Sequence, residues 1–143
     1  MTIGLKVTYL YHDVDVIKVQ VTAQNTRYKG SADVYMGTDD LLEAADALNG
    51  FPKDCQDRRE INFGAAGPKF AGGSVRLELY CKDLAGHTAL RAVIEDDYDQ
   101  EDRAQSANIF VDFEPASLDR FLSELQRVEL EHRGSADLIT QSI

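Results

Sequence analysis

Three groups of titratable side chains in this chain have types and spacing that could do chemistry. The densest is residues 95–102, EDDYDQED, in which six of eight residues are acidic. Asp97, Asp99 and Glu101 alternate there in a way that resembles the start of a calcium loop. The glycine that allows the sharp calcium-loop turn is missing, as is a distal bidentate Glu at the right distance. The stretch therefore reads as an exposed, solvated loop. Its sharper reading is a docking surface, because dense carboxylates speed encounter with a basic protein and select among partners. Asp96, Asp97, Asp99, Glu101 and Asp102 are its binding candidates.

The second group is Asp83 and His87. An Asp and a His four residues apart across a turn could share a proton or start a metal site. No third and fourth ligands are in evidence, so a capped turn is the simpler reading. The third is His12, Asp13 and Asp15, which are ordinary turn residues. His132, at the end of a helical stretch, suits the negative end of the helix dipole. The sequence holds no G-x-G-x-x-G, P-loop, H-E-x-x-H, G-x-S-x-G or C-x-x-C pattern. Neither catalytic residues nor a metal or cofactor site can be nominated from it.

These groups are positioned by a chain of 143 residues, a length that suits one domain spanning 1–143. An apolar content of 43% supplies a core. The formal charge of −10 argues against direct binding to nucleic acid or an anionic membrane, and it suits a basic partner. The opening TIGLKVTYLY lacks a charged leader and an apolar signal run, and no apolar run reaches membrane-spanning length. The expectation is a cytoplasmic protein. In that compartment Cys55, in a polar loop, and Cys81, on an inward strand position, are read as free thiols, with Cys81 a small core residue.

The organising element is residues 70–94. Val75, Leu77, Leu79 and Cys81 alternate with Arg76, Glu78, Tyr80 and Lys82, and Leu90, Ala92 and Ile94 alternate after the turn. A period of two with one apolar face predicts a hairpin. Asp83 and Gly86 supply its turn chemistry, and Gly72-Gly73 bends the chain into it. Residues 3–11, 14–24 and 27–36 read as an antiparallel meander, with Tyr28, Ala32, Val34 and Met36 facing in. Leu41, Leu42, Ala45 and Leu48 predict a helix over 39–49 with Thr38 as its N-cap, stopped by Gly50, Phe51 and Pro52. Residues 60–63 read as a short strand, 106–113 as a strand and 115–132 as a second helix. The tail to residue 143 reads as a short edge strand or a frayed end.

Residues 3–50 and 60–132 then follow one plan, three strands and a helix, with the short stretch 60–63 an extra strand in the second half. The expected fold is α+β: a single curved antiparallel sheet of about six to seven strands, in two β-β-β-α-like halves, with both helices on one face. The other face would be open. Tyr9, Tyr11, Tyr35, Tyr80 and Phe110 would populate it, making Tyr80 and Phe110 further binding candidates.

Two short patterns carry a resemblance: L-x-G-F-P (Leu48, Gly50, Phe51, Pro52) and A-G-G-x-V-x-L (Ala71, Gly72, Gly73, Val75, Leu77). With the order of elements, they resemble a family of small bacterial proteins of unknown function and, more distantly, immunity proteins of the WapI type. That resemblance implies a non-catalytic protein that binds and blocks a toxin, often a basic nuclease. The expected function is thus a protein-binding module that neutralises a basic toxin through its acidic surface. The rival is a small-molecule-binding domain or enzyme using the open aromatic sheet face. A homodimer through that face is the third reading.

Overall fold

The structure is a computed structural model that describes residues 2–142. Its elements follow in the order β1 (Thr2–His12), β2 (Val16–Gln24), β3 (Lys29–Gly37), α1 (Asp40–Leu48), β4 (Arg58–Gly64), β5 (Ser74–Cys81), β6 (Thr88–Glu95), β7 (Ser106–Phe113), α2 (Pro115–Glu131) and β8 (Ser135–Ser142). A 3₁₀ turn, Glu101–Arg103, lies between β6 and β7.

The chain is α+β and its strands pair antiparallel, but they build two four-stranded sheets rather than one curved sheet. The first has the order β3-β2-β1-β8 and the second β4-β5-β6-β7. The tail is a full strand, laddered on β1 from Thr2↔Ser142 to Thr8↔Ser135. The single-sheet expectation fails at β3. Instead of laddering with β4, β3 runs across the row of strand ends Gly64↔Ser74↔Glu95↔Ser106. Small residues permit the crossing. A Cβ on Gly64 would lie 2.5 Å from Val34 Cγ1, and one on Gly30 would lie 2.8 Å from the Ala107 Cβ. The Gly73 amide donates to the Asp33 carbonyl at 2.8 Å. Two sheets meeting at such a corner direct both apolar faces into one interior.

Periodicity decides which side chains enter it. Val19, Val21 and Val34 from the first sheet and Leu77, Leu79, Leu90 and Ile109 from the second are at most 2% exposed. Both helices add their stripes, Leu41, Ala45 and Leu48 from α1 and Leu118, Phe121, Leu125 and Val128 from α2, to the same cluster. The helices touch each other; α2 lies along β8, and α1 approaches β4. They complete a core shared by two sheets instead of covering one face of one sheet. Fully burying a Phe or Leu side chain stabilises by roughly 1.5–3 kcal/mol, so this shared interior holds the two halves together.

Three local expectations need correction. Tyr28 is 68% exposed, because it belongs to the turn before β3: Asn25 Oδ1 accepts its N–H at 2.9 Å and that of Arg27 at 2.9 Å. Thr38 does not cap α1. Asp39 occupies that position in the left-handed region (φ 81°), and its own N–H donates to Glu129 Oε1 of α2 at 2.7 Å. Cys81 is half-buried at the end of β5, where the core gives way to the loop after α1. The α1 stop matches the sequence: Gly50 has φ 78° and Phe51 turns back, buried, with its N–H on the Leu48 carbonyl.

Candidate functional site

The acidic loop leaves β6 at Glu95 and returns to β7 at Ser106. Its base is closed by the Asp96 amide donating to the Gln105 carbonyl at 3.0 Å. Tyr98 turns inward. It hydrogen-bonds Glu95, and its hydroxyl end lies beside Gly67, where a Cβ would sit 3.6 Å from the phenol oxygen. Burial, and then the negative charge of Glu101 and Glu95, pushes the Tyr98 phenol above its usual pKa. Asp96, Asp97, Asp99, Glu101 and Asp102 are all exposed.

The corner between the sheets gives this loop a neighbour that the sequence does not reveal. Because β3 crosses the strand ends, its outward residues Ser31, Asp33 and Tyr35 stand beside the start of the loop. Together with Lys18, Asp96 and Asp97 they line an open cleft of about 390 Å³. Asp33 Oδ1 accepts from the Gln20 side chain at 3.2 Å, and the Lys18 Nζ lies 5.1 Å from the centre of the Tyr35 ring. Among the described residues, no ion pair involves Asp33, Asp96, Asp97, Asp99, Glu101 or Asp102. The cleft and the start of the loop thus form one run of carboxylates, with Lys18 the cation among the residues lining the cleft. Asp33 and Lys18 lie far from the loop in sequence and look like ordinary outward strand positions. Only the crossing assigns them to the site.

The outer face of the second sheet differs. Glu60↔Glu78↔Arg91↔Phe110 form one cross-strand row and Asn62↔Arg76↔Val93↔Asn108 the next. Arg76 Nε lies 3.4 Å from Glu60 and 3.5 Å from Glu78, Arg91 lies 3.4 Å from Glu78, and its Nε donates to Asn108 at 2.8 Å. Its charges neutralise one another along a ladder. Tyr80 sits in a different row from Phe110, with the Arg58 guanidinium 5.2 Å from its ring centre. Tyr9, Tyr11 and Tyr35 belong to the other sheet. The five aromatic residues expected on one open face are divided between two.

The remaining groups resolve into turn construction. Asp83 Oδ1 accepts the N–H groups of Ala85 and His87, while Oδ2 meets His87 Nδ1 at 2.7 Å. The imidazole contact, more than any other cause, holds the Asp83 carboxyl below its usual pKa. Asp13 Oδ1 likewise accepts the N–H groups of Asp15 and Val16. His12 meets the Tyr9 hydroxyl at 2.7 Å and stacks on His132, with ring centres 3.8 Å apart. His132 closes α2 in the left-handed region, its N–H on the Val128 carbonyl. Among the described residues, no three His, Cys, Asp or Glu side chains gather around a point that could hold a metal ion, and no helix is long and apolar enough to cross a membrane. Comparison with protein-family models, with curated proteins and with solved structures finds no match for this chain.

Proposed function

We propose that the chain is a protein-binding module that receives a basic partner on the surface formed by the acidic loop and the outward side of β3. The observation that carries this reading is the contrast between two surfaces. Carboxylates on the second sheet's outer face are paired with arginines, whereas among the described residues Asp33 and the loop residues Asp96, Asp97, Asp99, Glu101 and Asp102 form no ion pair. Unpaired exposed carboxylates repel one another, and a basic surface relieves that repulsion on docking. In its specific form the partner is a basic toxin domain, which the chain blocks as WapI-type immunity proteins block theirs. The aromatic-face alternative gains no comparable support, since Tyr80 is covered by Arg58 and stands in a different row from Phe110.

The test is a binding titration against basic toxin domains, beginning with any that is encoded beside this chain's gene. The protein is compared with a variant carrying Asp96→Asn, Asp97→Asn, Asp99→Asn, Glu101→Gln and Asp102→Asn. At about 0.2–1 kcal/mol per exposed pair, losing five charges weakens binding by roughly 1–5 kcal/mol, at least about fivefold in Kd. Equal affinities for the two proteins refute the loop's role.

A further inference from the structure

The fold brings the two cysteines into one seam. Cys55 lies in the loop after α1 and Cys81 at the end of β5. Each sulfur rests on the backbone of the other's segment. Cys55 Sγ lies 3.4 Å from the Leu84 carbonyl, just beyond Cys81, and Cys81 Sγ lies 3.7 Å from the Asp54 carbonyl, just before Cys55. Both thiols are free and half-buried, so a small oxidant reaches them.

The two segments are held independently. In the first, Asp57 accepts the Lys53 N–H at 2.7 Å and the Arg59 guanidinium at 2.9 Å, and that guanidinium also donates to the Ala47 and Asn49 carbonyls at the end of α1. In the second, Asp83 holds the hairpin link through Ala85 and His87. The native fold therefore holds each thiol against the backbone of the segment that carries the other.

We propose that Cys55 and Cys81 are a modification site that closes to a reversible intramolecular disulfide when the protein meets a hydroperoxide. Burial, then the charges of Cys55, Asp57, Asp54 and Asp83, pushes the Cys81 thiol up, which leaves the first attack to Cys55. The Cys55 thiolate attacks the peroxide; an S–O bond forms, the O–O bond breaks, and the leaving oxygen departs as an alcohol or water. The Cys81 sulfur then attacks the Cys55 sulfenic acid; the S–S bond forms, the S–O bond breaks, and water leaves carrying the Cys81 proton. The two thiols lose two electrons and two protons, and one hydroperoxide is reduced. A dithiol reductant reverses the bond by exchange. The product ties the loop after α1 to the tip of the β5–β6 hairpin.

The experiment treats the folded wild-type chain with one equivalent of hydrogen peroxide and follows intact mass and the non-reduced peptide map. The expected result is a loss of about 2 Da, the two hydrogens given up, with the Cys55 and Cys81 peptides joined in monomeric protein and restored by dithiothreitol. The same treatment in denaturant should join them far less. Cys55→Ser and Cys81→Ser should each abolish the loss of mass. Separate oxygen adducts on the two peptides, cross-links only between molecules, or equal joining in denaturant would each overturn the proposal. The wild-type result involves no substitution, so misfolding of a variant cannot obscure it.

Discussion

Gly73→Ala tests the close approach at the entry to β5, where the chain lies against the end of β6 and against β3. A Cβ on Gly73 would stand 2.2 Å from the Glu95 carbonyl oxygen and 3.1 Å from the Ala32 Cβ. The first obstacle is backbone and cannot rotate away. Forcing one methyl into such a place costs roughly 1–3 kcal/mol. The strand must shift to accept it, which stretches the Gly73 N–H bond to Asp33; losing a hydrogen bond of this kind costs about 0.5–1.5 kcal/mol more. The sum is a destabilisation of about 1.5–4.5 kcal/mol. Gly50→Ala is the control. Gly50 has φ 78° with nothing within 4 Å of a Cβ, so only left-handed strain applies, about 1–2 kcal/mol. Denaturant unfolding of both variants, with unchanged slope, reads the difference. If Gly73→Ala costs no more than Gly50→Ala, the entry to β5 does not lie against the end of β6 and against β3 as described.

Other consequences follow from single contacts. Glu129, 4% exposed, accepts the Asp39 N–H at the start of α1, so Glu129→Ala should destabilise by about 1–3 kcal/mol, while Glu129→Gln, which keeps an acceptor oxygen, should cost less in the same unfolding assay. The Asp57 carboxyl is held below its usual pKa, first by the Arg59 side chain and then by the Lys53 amide. A depressed carboxyl contributes stability that is present above its unfolded value of about 3.9 and lost as pH falls through the lower folded value. Asp57→Asn should therefore lower stability at neutral pH and flatten the acid limb of the stability–pH curve; an unchanged acid limb would contradict the assignment.

Much of the architecture was legible because periodicity is local. The alternation over β5 and β6, the apolar stripe of α2 and the stop at Gly50, Phe51 and Pro52 each appear where the pattern puts them. What the pattern cannot carry is which strands become neighbours. A period of two gives Val34 and Phe63 an inward face without saying whether their strands ladder or cross. The choice rests on small residues at close approach, Gly30 against Ala107 and Gly64 against Val34, and glycines in sequence read first as bends. The site followed the same division. The acidic loop was visible as composition, whereas Asp33 and Lys18 joined it only through the crossing, and Cys81 reached the Cys55 loop only through the end of β5. Tyr80 and Phe110 looked alike as outward aromatics, yet the second sheet's register places them in different rows.

The central claim is that the acidic loop and Asp33 are where a basic partner docks. It is tested most directly by the salt dependence of affinity, measured for the wild-type chain and the five-residue loop variant against the same basic toxin domain. Exposed charges at an interface act through a screened field, with a Debye length of about 10 Å at 0.1 M salt. The account predicts a steep loss of affinity with salt for the wild-type chain and a shallower one for the variant, the curves converging at high salt. Parallel curves with equal affinities would contradict it.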